Sequence, residues 1–168
     1  GIGGVGTWAA EALARSGIGH ITLIDLDDVC TTNINRQVHA LDGNIGKMKV
    51  TAMAERIRLI NPECQVHAIE DFVTDKNLSE YITKEFNYVV DAIDSVKAKA
   101  HLLVHCKRNK IPAIMTGGAG GQLDPTKVTI GDLNKTHNDP LAKNVRVYLR
   151  RNFNYSRNTS RNYGIQVV

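Results

Sequence analysis

The sequence predicts an α/β fold in which a doubly wound, mainly parallel sheet carries helices on both faces. Three observations predict it. Segments of helical period alternate with short apolar runs, and a glycine-rich turn opens the first helix. Asp25, Asp91, Asp94 and Thr116 all fall at or just past the ends of apolar runs, the edge at which such sheets collect ligands.

Gly1-Ile2-Gly3-Gly4-Val5-Gly6 leads into a helix over Trp8 to Arg15, with Trp8, Ala9, Ala12 and Leu13 at helical spacing and Ser16-Gly17-Ile18-Gly19 as its stop. His20 to Asp25 reads as a buried strand. Gly46 to Ile60 is the second helix, with Val50, Met53, Ile57 and Ile60 on one face and Asn61-Pro62 ending it. Cys64 to Ile69 alternates as a strand, Asn77 to Phe86 reads as a short helix, and Tyr88 to Ile93 as another buried strand. Val96 to Arg108 is helical, and Pro112 to Met115 is a strand that runs into Thr116 to Gly121. Beyond Gly121 the period changes. Lys127 to Ile130 is expected as an edge strand and Asp139 to Arg151 as a basic helix. Asn152 to Asn162, rich in Asn, Ser and Arg, is expected as a mobile loop leading into the apolar run Gly164 to Val168. The sequence opens inside a strand-to-helix turn and stops within an apolar run, so it reads as a piece of a longer protein with its first strand upstream.

At 168 residues, 42% hydrophobic and 23% charged, the chain is long enough for a real core and has the composition of a globular domain. Disordered and collagen-like classes are excluded. No apolar stretch approaches the roughly 20 residues needed to cross a bilayer, and no basic-apolar-small leader opens the chain, so a cytoplasmic location is expected. Cys30, Cys64 and Cys106 are widely spaced and contain no C-x-x-C pair, which argues for reduced thiols rather than disulfides or zinc. The net charge is +4. From Asn134 onward seven Lys or Arg face the single acid Asp139, so this segment carries +6 and the preceding 133 residues carry −2. A basic tail on a nearly neutral core points to a polyanionic partner.

The glycine turn satisfies G-x-G-x-x-G, and Asp25 follows 19 residues after Gly6 at the end of the next strand. Glycines let backbone N–H groups approach phosphates at a positive helix start, and a carboxylate so placed accepts ribose hydroxyls. Together they predict a nucleotide without saying which. Arg36 in Asn33-Ile34-Asn35-Arg36-Gln37 and Lys49 at the start of the second helix suit a triphosphate, whose excess charge a dinucleotide lacks. Singly, either reads as a solvated surface charge. Asp91 and Asp94 end a buried strand, where a carboxylate either meets magnesium or caps the next helix near Ser95. Asp94 is read as the metal candidate and Asp91 as structural.

The ordered set G-x-G-G-x-G, I-D-x-D, N-x-x-R-Q, G-x-x-K and D-A-x-D, spread over Gly1 to Gly121, resembles the ThiF/MoeB/HesA family of adenylating proteins related to ubiquitin-activating enzymes. The resemblance implies a Rossmann-like fold, ATP and Mg2+ as cofactors, adenylation of a carboxylate with release of pyrophosphate, and a homodimer. It places Gly3, Gly4 and Gly6 on the phosphates, Asp25 on the ribose, and Asp27 and Asn33 nearby. Arg36 and Lys49 fall on the triphosphate, and Asp94, with Ser95 beside it, falls by the metal. Arg36, Lys49 and Asp94 are the implied catalytic residues. Residues 1–133 are then the ATP-binding core, and 134–168 a basic helix and loop of the same domain.

Sulfur-carrier-activating members resemble one another in paired C-x-x-C motifs, and this chain has no cysteine after Cys106. Gly117 to Thr126, Gly131-Asp132-Leu133, Lys135-Thr136 and Asp139-Pro140-Leu141 are instead similar to the branch that closes threonylcarbamoyladenosine in tRNA to a cyclic form. That similarity implies tRNA as substrate. Arg146, Arg150, Arg151, Arg157 and Arg161, interleaved with Tyr148, Phe153, Tyr155 and Tyr163, are the candidate tRNA contacts, since such a set suits phosphates and unpaired bases. The bland alternative is a solvated helix face whose aromatic rings pack inward. The cysteines are poor candidates for a nucleophile, Cys64 and Cys106 by burial and Cys30 by packing, and a thioester cysteine, if used, is expected beyond Val168. Two other functions stay open at this point: activation of a sulfur-relay, carrier or ubiquitin-like protein at its C-terminus, and an NAD-binding oxidoreductase.

Overall fold

The structure, a computed structural model, describes residues 1–168, which divide into two compact units, 1–72 and 73–168. The composition shift at residue 134 falls inside the second unit. Each unit has parallel strands and helices, the α/β organisation expected from the alternating periods.

In the first unit, α1 (Gly6–Arg15), β1 (His20–Ile24), α2 (Lys49–Ile60) and β2 (Gln65–Ile69) follow in order. β1 and β2 pair in parallel from His20 with Gln65 to Ile24 with Ile69. Ile21 and Leu23 of β1 pack with Val50, Met53, Ala54 and Ile57 of α2. The α1 face differs from the expected one. Ala10, Ala14, Thr7 and Glu11 turn inward, whereas Trp8 is 55% exposed, its Nε1–H donating to the Arg36 carbonyl at 3.0 Å. Small side chains let α1 lie close to the core, and Glu11 is tolerated there because Arg56 and Arg15 both donate to it.

Helix α2 starts at Lys49, three residues later than expected. Gly46 has φ +83°, a left-handed conformation that few other residues accept, and Met48 is extended. The stretch from Gly46 to Lys49 runs back along Asp27 to Val29, with Val29 N–H bonded to the Lys47 carbonyl and Lys49 N–H to the Asp27 carbonyl. That pairing keeps 46–48 out of the helix.

The second unit holds α3 (Leu78–Tyr81), β3 (Val89–Asp91), α4 (Val96–Asn109), β4 (Ala113–Met115), β5 (Gly131–Asp132), α5 (Pro140–Asn152) and β6 (Gln166–Val167). The sheet order is β3-β4-β6-β5, with β5 antiparallel at the edge. Met115, Leu103, Leu133, Val145, Leu149 and Val167 form its core. Three expected elements are corrected. The helix foreseen over 77–86 ends at Tyr81, because Ile82 turns to an extended conformation, is buried, and offers its carbonyl to His105 Nε2 at 2.7 Å. β3 stops at Asp91 rather than Ile93, because the Asp91 side chain takes the Ile93 N–H. The strand foreseen over 127–130 is absent: Pro125–Lys127 form a 3-10 turn whose Thr126 N–H is captured by Asp124, and the edge strand is Gly131–Asp132.

Residues 153–165 are irregular, as expected of 152–162, and are tied into the unit. Asn134 Nδ2 donates to the carbonyls of Asn158 and Arg161, and the Asp132 carboxylate accepts the N–H groups of Tyr163 and Gly164.

Candidate functional site

In the first unit the glycine turn is organised by Asp25. Its Oδ2 accepts the Ile2 N–H at 2.6 Å and its Oδ1 accepts the Asp27 N–H at 2.9 Å. The carboxylate expected to hold a ribose is therefore fixed to the loop expected to hold phosphates. Helix α1 begins at Gly6, and no side chain caps it at Val5. Its first N–H groups and its dipole present a positive end. Space is open around Gly3, whereas a Cβ on Gly4 would stand 3.3 Å from Cγ and Cδ of Arg36. Arg36 thus lies over Gly4, with Nη1 donating to the Thr32 carbonyl at 3.0 Å and to Asn35 Oδ1 at 2.9 Å.

Lys49, the first residue of α2, is nearly buried, and its Nζ meets Asp27 Oδ2 at 2.7 Å. The turn at Gly46 delivers it there. Asn33 is buried and serves the backbone: its Oδ1 accepts the Cys30 N–H, closing the 3-10 turn Thr31–Asn33, and its carbonyl accepts from Arg36 and Gln37. Two polar residues are buried on this loop: Gln37, the last residue of the N-x-x-R-Q run, whose Oε1 lacks a hydrogen-bond partner, and His39, which the sequence did not single out. Burial, opposed by a hydrogen bond with the Ile2 backbone and by the Asp25 charge and assisted by Lys49, holds the His39 imidazole below its ordinary pKa. The available signal for His39 was its place inside the short apolar run from Val38 to Leu41. Cys30, expected to pack, is exposed.

In the second unit, Asp94 and Ser95 are exposed between β3 and α4, with Ser95 as the N-cap residue of α4 and no cap bond from its side chain. Asp91 is structural, as expected, and its partner was missed: Lys99 Nζ lies 3.0 Å from Asp91 Oδ1, both side chains fully buried. The clue was a lysine on the face of α4 that also carries Leu103. Burial pushes the Asp91 carboxyl up and the Lys99 ammonium down, each opposed by the other's charge. No cluster of three or more His, Cys, Asp or Glu suited to a metal exists. A magnesium ion at Asp94 would take its other ligands from phosphate and water, as that ion commonly does.

The five candidate arginines separate into two groups. Arg146 Nη1 donates to the Leu133 carbonyl and to Thr136 Oγ1, and Arg150 joins Tyr163 Oη at 2.8 Å to Asn134 Oδ1 at 2.9 Å. Arg151, Arg157 and Arg161 are exposed. The interleaved aromatics pack inward: Tyr163 is buried against Tyr155, ring centroids 4.8 Å apart, and Phe153 sits edge-on to His101.

A glycine turn locked to a strand-end aspartate, with an arginine over it and a lysine at the next helix start, is a nucleotide-binding pattern. The sequence pattern of the ThiF family matches residues 1–157. The chain belongs to the ThiF family. Among members, the tRNA threonylcarbamoyladenosine dehydratase of Haemophilus influenzae is 57% identical over 168 residues, all of this chain and 64% of that protein. The crystal structure of the Escherichia coli tRNA N6-threonylcarbamoyladenosine dehydratase in complex with ATP is 57% identical, with a TM-score of 0.96 over 99% of this chain and 69% of that one. The H. influenzae molybdopterin-synthase adenylyltransferase is 33% identical over 143 residues, 80% of this chain and 58% of that protein. The chain therefore spans somewhat less than two thirds of the curated dehydratase it matches. No helix is long and apolar enough to cross a membrane.

Proposed function

We propose that this chain is the ATP-binding core of a tRNA threonylcarbamoyladenosine dehydratase. The observation that carries the reading is the placement of Arg36 over Gly4 at the start of α1, which puts a fixed guanidinium against a loop built for phosphate. Lys49 adds a second cation. Two cations and a helix N-terminus suit a triphosphate, and the 57% identity to proteins named as dehydratases supports modified tRNA as the acceptor.

In this reaction a carboxylate oxygen of the threonylcarbamoyl group attacks the α-phosphorus of ATP, and pyrophosphate leaves. The resulting acyl adenylate is attacked at its acyl carbon by a nucleophile of the same substrate, and AMP leaves as the ring closes. Asp25 holds the ribose, while Arg36, Lys49 and the α1 N-terminus balance charge gathering on the α-phosphate. Asp94 would hold a magnesium ion, which would supply further neutralisation of the phosphates. Arg151, Arg157 and Arg161 serve tRNA phosphates, and Arg146 and Arg150 hold the tail that presents them. A homodimer in the cytoplasm completes the reading. Full-length protein is incubated with ATP and threonylcarbamoyladenosine-bearing tRNA, and the digested nucleosides are weighed. Loss of one water from the modified nucleoside, dependent on ATP, is expected; an unchanged mass removes the reading.

A further inference from the structure

The end of β3 is held by an ion pair that adenylation does not itself require. Lys99 Nζ donates to Asp91 Oδ1 at 3.0 Å and to the Asp91 carbonyl at 3.1 Å. The same Oδ1 accepts the Ile93 N–H at 3.0 Å, which turns the chain out of the strand. At the other end, the Lys99 N–H bonds the Ser95 carbonyl in the first turn of α4. The backbone of Lys99 thus belongs to the first turns of α4 while its ammonium holds the strand end, so its side chain bridges the turn from Asp91 to Ser95, in which Asp94 is the exposed carboxylate.

Stability is a weak reason for such a pair. Replacing a buried ion pair by neutral side chains of similar volume is often neutral or stabilising, whereas removing one partner leaves an uncompensated charge. What a doubly anchored ammonium provides, and an apolar side chain cannot, is a fixed direction for the backbone it holds. Besides Asp91, the acids whose charge acts on Lys99 are Asp139 and Asp94. The turn is thus held from beneath by a cation and open above at a carboxylate.

We propose that Lys99, acting through Asp91, is a positioning residue that aims the Asp94 carboxylate at the magnesium ion accompanying ATP. The inference rests on the reading of Asp94 as a magnesium ligand. Groups that orient a metal's ligands typically change metal affinity by about 10- to 100-fold when removed.

The test uses the full-length protein and titrates Mg2+ while following ATP binding by calorimetry, with AMP binding and the melting temperature as controls. The double variant Asp91→Asn/Lys99→Met removes both charges together. It is expected to melt near the wild type and to bind AMP unchanged, while the Mg2+ midpoint for ATP rises about tenfold or more. If the double variant does not fold, Asp91→Asn/Lys99→Gln, which also removes both charges, keeps an acceptor for Ile93 N–H and leaves a donor at position 99, is measured for a rise in the same midpoint. An unchanged midpoint in the folded variant, or equal losses for AMP and ATP, overturns the proposal. Asp94→Asn is titrated in parallel. If it raises the midpoint and the folded Asp91 variant does not, the positioning role fails and the Asp94 reading stands; if it leaves the midpoint unchanged, both fail.

Discussion

Arg36 rests on Gly4, close enough that a methyl group on Gly4 would stand 3.3 Å from two carbons of the arginine stem. The contact ties the loop sequence to the proposed phosphate site, because a side chain at position 4 would make the arginine stem shift. Arg36→Ala removes charge-assisted hydrogen bonds worth about 1.5–3 kcal/mol, so ATP affinity is expected to fall about 10- to 100-fold with adenosine affinity unchanged. Gly4→Ala should move ATP affinity in the same direction and by less, since the arginine stem can yield by a few tenths of an ångström. Calorimetry with both ligands checks this, and equal losses for ATP and adenosine would remove the phosphate role.

Acid should weaken the first unit in two steps. Burial lowers the His39 pKa below the ordinary histidine value of 6.5, so the folded state resists protonation. The unfolded state then binds more protons, and stability falls as pH drops through 6.5 and levels off below the lowered folded value. Glu11 behaves in the same sense at lower pH: the Arg56 hydrogen bond, followed by the Arg15 bond and both charges, outweighs burial and holds its pKa below 4.5. Its stabilisation is complete above 4.5 and is lost as pH falls through the folded value. Urea unfolding from pH 8 to 3 is expected to show the first loss absent in His39→Leu and the second absent in Glu11→Gln. At pH 7, Glu11→Gln should be destabilised by about 1–3 kcal/mol.

The arginines of the tail should divide by what each holds. Arg150→Ala unties Tyr163 from Asn134 and is expected to lower stability by about 1–3 kcal/mol, seen as a fall in melting temperature. Arg157→Ala and Arg161→Ala, both exposed, should melt as the wild type does. Each should weaken tRNA binding evenly across sequences and reduce the slope of log K against log salt by about one. A melting change at Arg157, or none at Arg150, would reverse the assignment.

What was legible in the sequence is what depends on near neighbours along the chain. The glycine turn, Asp25 at the end of β1 and the inward face of α2 follow from spacing alone. The role of Asp91 followed from its place at a strand end. Its partner Lys99 did not, because a lysine on a helix is read as solvated unless its tertiary surroundings are known. Trp8 was read as part of the apolar spacing of α1, yet the buried face of that helix is Thr7, Ala10, Glu11 and Ala14, and the exposed indole instead reaches the Arg36 carbonyl. The aromatic side chains of the tail suited bases and core equally well in sequence, and only the packing of Tyr155 on Tyr163 decides between the two.

The three thiols are expected to differ sharply in reactivity. Burial pushes the Cys106 thiol up to about 11 and raises that of Cys64, so both are protonated and inaccessible near neutral pH. Cys30 is exposed and precedes the 3-10 turn at Thr31. Brief iodoacetamide treatment of the folded protein at pH 8 should therefore label Cys30 first, with Cys64 and Cys106 reacting only after denaturation, as peptide mass mapping will show. In the proposed mechanism ring closure uses a nucleophile of the substrate itself, so Cys30→Ser should retain ATP-dependent dehydration. Loss of product with ATP binding intact would instead assign Cys30 a covalent role and replace the internal closure with a thioester.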